Sequence, residues 1–176
     1  MTREELEHAI RAACDIADDV EVWVFGSQAV LGQHPNAPET LRQSAEADIA
    51  PRNHPDRTDR IDGALGELSQ FHQTFGFYVH GVPLETAVLP DGWQVRTVPV
   101  PGRGPRPSTG FCLEGHDLAA SKLVAYREKD QRFVRTMLAE GLIDADVLLE
   151  RVRSLDVTDD KRERIGRWVA RNRPQK

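Results

Sequence analysis

The sequence predicts an α+β protein: a small mixed β-sheet flanked by helices, with a helical C-terminal part. Three observations carry that expectation. Short segments dense in β-branched and aromatic residues, "VEVWVF", "EADIAP", "FGFYVHG", "VPLETAVL" and "WQVRTVPV", occupy the first part of the chain. Apolar residues at helical spacing open the chain and fill it from Asp117 to its end. Between the two regimes lies "PGRGPRPSTG", a basic Gly/Pro-rich stretch that reads as a connector. The predicted division is therefore a core over residues 1–108 and a helical part over 109–176 packed on it.

Thr2 with Glu5 makes a capping-box pattern. Leu6, Ala9, Ile10, Ala13, Cys14 and Ala17 then recur on one helical face, which ends near Asp18-Asp19. "VEVWVF" reads as a buried strand that stops at Gly26, and "SQAVLG" as the first turns of a helix capped by Ser27. "QHPNAPET" is loop. "EADIAP" is a brief strand closed by Pro51, and a helix carrying Ile61, Leu65, Leu68 and Phe71 starts at Thr58 or Asp59. "FGFYVHG" and "VPLETAVL" read as strands joined near Gly81, and "WQVRTVPV" as another. Asp117 begins "DLAASKLVAYREKD"; a further helix holds Phe133, Val134, Met137 and Leu138 and stops at Gly141, and two more span about 144–154 and 158–172.

A chain of 176 residues can bury a core. No apolar run approaches the roughly 18 residues that cross a bilayer, and "MTREELEHAI" is acidic and helical in pattern, unlike a signal peptide. Cys14 and Cys112 lie far apart without CxxC or Cys/His spacing and read as buried thiols of a reducing compartment. The expectation is a cytoplasmic protein with no membrane partner. The net charge of −5 argues against a surface that coats nucleic acid throughout. From Arg151 to Lys176 nine Lys/Arg stand against four Asp/Glu, a net of +5 that leaves −10 for residues 1–150. An acidic front and a basic tail suit a metal-bound nucleotide and an anionic polymer; a solvated helical face is the plain alternative.

The chemistry gathers in two short stretches. In "EADI" the period of two puts the carboxylates of Glu46 and Asp48 on one face, with Ala47 and Ile49 on the other. Adjacent anions repel, and a divalent cation holding oxygen ligands relieves them; Mg²⁺, or Mn²⁺ in its place, suits such a pair and brings substrate phosphates with it. The plain alternative is the wet face of an edge strand. In "FGSQ", Gly26 allows a ligand to approach backbone, and Ser27 stands where a helix N-terminus would grip a phosphate. A strand-to-helix turn with a serine cap explains the same residues more plainly.

Taken together, "FGSQAVLG…RQSAEADI" resembles the signature of the DNA polymerase β-like nucleotidyltransferases, and is closest to toxin-type members of the AbiEii and MenT kind. Arg42, Ser44, Glu46 and Asp48 fill that second motif with Ser for Thr and Glu for Asp, and "HDLAASKLVAYREKD" resembles the group's helical motif through Lys122 and Lys129-Asp130. The resemblance implies nucleotide binding by Gly26, Ser27, Arg42, Ser44 and Lys122, and catalysis by Glu46, Asp48, Lys122 and Asp130. It also implies a third metal-binding carboxylate from a neighbouring strand, for which Glu85 is the candidate beside Glu46 and Asp48. The activity it implies moves NMP from an NTP to an RNA, tRNA included, or to a protein hydroxyl, as the toxin of a toxin–antitoxin pair with a cognate antitoxin. A catalytically inactive nucleotidyltransferase fold that binds nucleotide or a partner is the alternative. The histidines, His72, His80 and His116 among them, show no ligand spacing and read as structural or surface groups, and Arg103 and Arg106 as possible contacts to a nucleotide or RNA backbone.

Overall fold

The computed structural model describes residues 1–174; Gln175 and Lys176, the last two residues of the predicted helical part, lie outside the described residues. Helix α1 (Arg3–Ala17) opens on the expected capping box, the Thr2 hydroxyl accepting from the Glu5 amide and the Glu5 carboxylate from the Thr2 amide. It ends where Asp18 turns left-handed. Strand β1 (Glu21–Phe25) follows, then a 3-10 turn, Ser27–Ala29, and the four-residue α2 (Val30–Gln33). Strand β2 (Glu46–Pro51) leads through α3 (Thr58–Leu65) and α4 (Gln70–Phe75) to β3 (Tyr78–Gly81). Strands β4 (Val98–Pro101) and β5 (Thr109–Cys112) complete a five-stranded mixed sheet in the order β3-β2-β1-β5-β4. Helices α5 (Gly115–Ala125), α6 (Glu128–Ala139), α7 (Ala145–Arg153) and α8 (Asp159–Arg171) form the helical C-terminal part.

Register assigns the two faces of the sheet. Val24 stands opposite Ile49 on one side and Cys112 on the other, so Val22, Val24, Ala47, Ile49, Gly110 and Cys112 share a face. Helix α1 covers it with Leu6, Ala9, Ile10 and Ala13. Gly110 is required there, since a Cβ would stand 2.5 Å from Ile10 Cδ1. The alternate residues Trp23, Phe25, Glu46, Asp48 and Phe111 face the opposite way. Cys14 and Cys112 are buried and unpaired, and burial pushes both thiols up to about 12, which leaves them unreactive.

Several expected elements take another form. "VPLETAVL" is no strand: Val82 makes the last amide bond to β2, Pro83 has no amide to donate, and Leu84–Thr86 closes as a 3-10 turn. Of "WQVRTVPV" only the last three residues are strand, the start of Val98–Pro101, after a 3-10 turn at Trp93–Arg96. The helix expected through Leu68 and Phe71 breaks at Gly66, and Ser69 caps α4 afresh. The Gly/Pro-rich stretch is a hairpin loop rather than an interdomain connector: β4 and β5 pair antiparallel and β5 pairs parallel with β1. Residues 109–112 therefore belong to the core sheet, and the helical part begins with α5, capped by Glu114. No helix among the described residues is long and apolar enough to cross a membrane.

Asp117 ties this helical part down. It is fully buried in α5, with Arg96 at 2.8 Å from before β4 and Arg151 at 3.2 Å from α7. Removing the carboxylate leaves two arginines facing each other with no anion. Asp117→Ala is expected to lower stability by about 3 kcal/mol, read as a shift in the urea midpoint. A loss below about 1 kcal/mol, the scale of an exposed ion pair, would contradict that role.

Candidate active site

The sheet face turned away from α1 borders a cleft of about 670 Å³, within the size range of small-molecule sites. Its floor is the end of β1 and the start of β2, where Phe25 stands opposite Asp48 and Gly26 follows. Gly26 has φ +79°, and a Cβ on it would lie 1.8 Å from Asp48 Oδ2. Glycine at this position is therefore imposed twice, by backbone conformation and by the carboxylate against it. Glu46 lines the same cleft one pleat away. Ser44 sets the start of that strand, its Oγ accepting from the Glu46 amide at 3.1 Å.

The neighbouring strand β3 runs parallel to β2 and puts His80 beside Asp48 in register. His80 Nδ1 lies 2.9 Å from Glu46 Oε1 and 3.3 Å from Asp48 Oδ1. Burial first, and the Glu46 anion second, push the Asp48 carboxyl up to about 6, with His80 opposing them.

The opposite wall comes from the helical part. Lys122 of α5 extends its ammonium to Ser27 Oγ at 3.0 Å and to Asp130 Oδ1 at 3.5 Å. Its side chain is 12% exposed, and burial lowers its pKa against the pull of Asp130. Asp130, 2% exposed, also accepts from Arg127 Nε at 2.6 Å. Lys122 and Asp130 do not share one straight helix, as their spacing would suggest. Tyr126 turns left-handed at φ 56° and separates α5 from α6, so the two meet across the break. Lys129 and Arg132 complete a cationic flank on α6, and Phe133 carries the Lys122 ammonium 4.7 Å above its ring.

The cleft thus brings together Gly26, Ser27, Ser44, Glu46, Asp48, Lys122 and Asp130 among the residues singled out from sequence. Two residues assigned to nucleotide or metal binding lie apart. Glu85 is exposed on the 3-10 turn after β3 and does not line the cleft, because the strand that would have aimed it inward is not formed. Arg42 spends its guanidinium on the Ala37 carbonyl at 2.7 Å, bracing the loop from behind. Ser27 is not a side-chain cap: Gly26 holds the cap position of the 3-10 turn, and Ser27 Oγ faces Lys122. Arg103 is paired with Glu7 and Glu4 of α1, and Arg106 lines a small groove with Arg11 and Asp15, both outside the cleft. His80 is the residue that sequence spacing missed, since only the pairing of β2 with β3 brings it to Glu46 and Asp48. Arg127 was missed as well, although "REKD" placed it three residues before Asp130.

The family described as nucleotidyltransferase of unknown function (DUF6036) matches residues 4–169, nearly the whole chain. The chain belongs to that nucleotidyltransferase family. No curated protein and no solved structure matches it. The matched span covers both the sheet that carries the carboxylates and the helices that carry Lys122 and Asp130, so the whole cleft lies within the family's span.

The crowded Asp48 carboxylate has a consequence for stability. Folded, it keeps its proton up to about pH 6, whereas an unfolded aspartate releases it near pH 4. Between those values the folded state binds more protons, so stability falls as pH rises through that window. Asp48→Asn cannot ionise. It is expected to raise the stability of metal-free protein at pH 8 by about 2 kcal/mol and to leave it unchanged at pH 3.5. Thermal unfolding at both pH values checks this, and a variant no more stable than wild type at pH 8 would contradict it.

Proposed function

We propose that the protein is a metal-dependent nucleotidyltransferase that transfers NMP from an NTP to the terminal hydroxyl of an RNA, tRNA included, in the manner of a toxin held in check by a cognate antitoxin. One observation carries the reading: Glu46 and Asp48 stand together at the foot of Gly26-Ser27, and Lys122 reaches Ser27 from the other wall. Anionic oxygens for a cation and fixed cations for a triphosphate thus share one cleft. The donor set fits Mg²⁺ or Mn²⁺, because the two carboxylates and the His80 ring each offer one atom within 4.8 Å of the others. The cradle fits as well, since the backbone at Gly26 is bare where a side chain would fill the approach to Asp48.

A divalent ion held by Glu46 and Asp48 would supply charge neutralisation at the α-phosphate and a lowered pKa for the attacking hydroxyl. The acceptor hydroxyl gives up its proton to solvent as its oxygen forms a bond to the α-phosphorus, the bond from that phosphorus to the bridging oxygen breaks, and pyrophosphate leaves. Ser27 Oγ and the Lys122 ammonium are placed to hold the phosphate oxygens, where fixed donors need no reorganisation. Asp130 is too enclosed to take a proton from an acceptor; it holds Lys122, and Arg127 holds Asp130. Arg127, Lys129 and Arg132 line the mouth and suit an anionic polymer or the departing pyrophosphate.

Purified protein is incubated with Mn²⁺ or Mg²⁺, each labelled NTP, and total RNA or total protein. Label is expected in RNA, and label in protein instead would move the acceptor class. Glu46→Gln and Asp48→Asn are each expected to lower transfer at least about 100-fold. Lys122→Met should lower it about 100-fold, with a smaller loss for Ser27→Ala. Nucleotide bound without transfer under every condition would leave the inactive, nucleotide-binding alternative.

A further inference from the structure

We propose that His80 Nδ1 is the third protein ligand of the cation, and that this nitrogen makes the site prefer Mn²⁺ over Mg²⁺; the inference rests on the metal-dependent reading above. Three facts of the cleft lead to it. Donors in neighbouring positions around an ion at about 2.1 Å stand about 3.0 Å from one another. His80 Nδ1 already holds that spacing, 2.9 Å from Glu46 Oε1 and 3.3 Å from Asp48 Oδ1. A neutral imidazole has one N–H to give, so it can satisfy only one of the two oxygens it touches. A cation facing all three atoms satisfies them together.

The position is set by the sheet. Parallel pairing of β2 with β3 places His80 directly beside Asp48, on the face that Glu46 shares. The other acids near the cleft are committed elsewhere. Asp130 is occupied by Lys122 and Arg127, and Glu85 sits exposed on its turn outside the cleft. The protein's share of the coordination shell is then two carboxylate oxygens and one imidazole nitrogen. Mg²⁺ demands hard oxygen ligands and gives up water reluctantly, whereas Mn²⁺ accepts nitrogen and binds a mixed set more tightly. An ion held by these three atoms would leave the rest of its shell to phosphate oxygens and water.

The test uses the full chain stripped of metal, titrated with MnCl₂ and with MgCl₂, with pulsed electron paramagnetic resonance on the Mn²⁺ form. Wild type is expected to bind Mn²⁺ at least about tenfold more tightly than Mg²⁺, and to show the modulation of a directly bound nitrogen. His80→Ala should lose the nitrogen signal and at least about tenfold of Mn²⁺ affinity. His80→Asp should recover binding without the nitrogen signal and narrow the preference over Mg²⁺. Mn²⁺ binding that needs Glu46 and Asp48 but is unchanged in His80→Ala, or lacks the nitrogen signal in wild type, overturns the role of His80 alone. Wild type that binds no Mn²⁺, or binds it equally in the Glu46→Gln/Asp48→Asn double variant, overturns the metal site itself.

Discussion

The ammonium of Lys122 is where the helical part of the molecule meets the sheet. Its bond to Ser27 joins α5 to the turn after β1, across 95 positions of sequence. A lysine this enclosed loses most of its hydration, and it stays in place because Asp130 answers its charge and Arg127 answers that of Asp130. The break at Tyr126 serves the same arrangement. Were α5 and α6 one straight helix, Lys122 and Asp130 would lie about two turns, or 12 Å, apart along the axis; folding back at Tyr126 closes that distance to a contact.

Across the cleft the balance of charge runs the other way. Glu46 and Asp48 face the same space, and Asp48 is pressed against bare backbone at Gly26. A protein selected only for stability would not place two carboxylates there, since burial and the neighbouring Glu46 anion both disfavour the charge on Asp48. A divalent cation, as proposed above, would relieve that cost, and the Lys122 ammonium and Arg127 line the same cleft. The two walls come from separate parts of the chain, so the cleft exists only once the helical part has docked.

That division also explains what could be read early. Motif order along the chain, a Gly-Ser after a buried strand and a Glu-x-Asp on the next, was enough to point to the carboxylates and to Ser27. Helix ends marked by local chemistry, the Thr2–Glu5 box and the stops at Asp18 and Gly141, fell where spacing predicted. Where a segment's form depends on its neighbours, local reading failed. "VPLETAVL" has the composition of a strand, yet its pairing with β2 ends at Val82, Pro83 has no amide to continue it, and the chain closes into a 3-10 turn. The Gly/Pro-rich stretch looks like a linker by composition and is a hairpin loop because β5 pairs with β1.

The sequence by itself determined the α+β class, the shared face of Glu46 and Asp48, and the identity of Lys122 and Asp130 as charges within an apolar helical region. Each follows from a short-range rule: period two in a strand, period 3.6 in a helix, the φ and hydrogen-bond limits of glycine and proline. Only the tertiary structure decided which groups touch. It set Arg42 to bracing a loop, left Glu85 outside, and brought His80 to both carboxylates through a strand pairing 32 residues long in sequence. Pairing between distant strands is chosen by the energy of the whole sheet and its cover, a sum over many contacts that no local pattern contains.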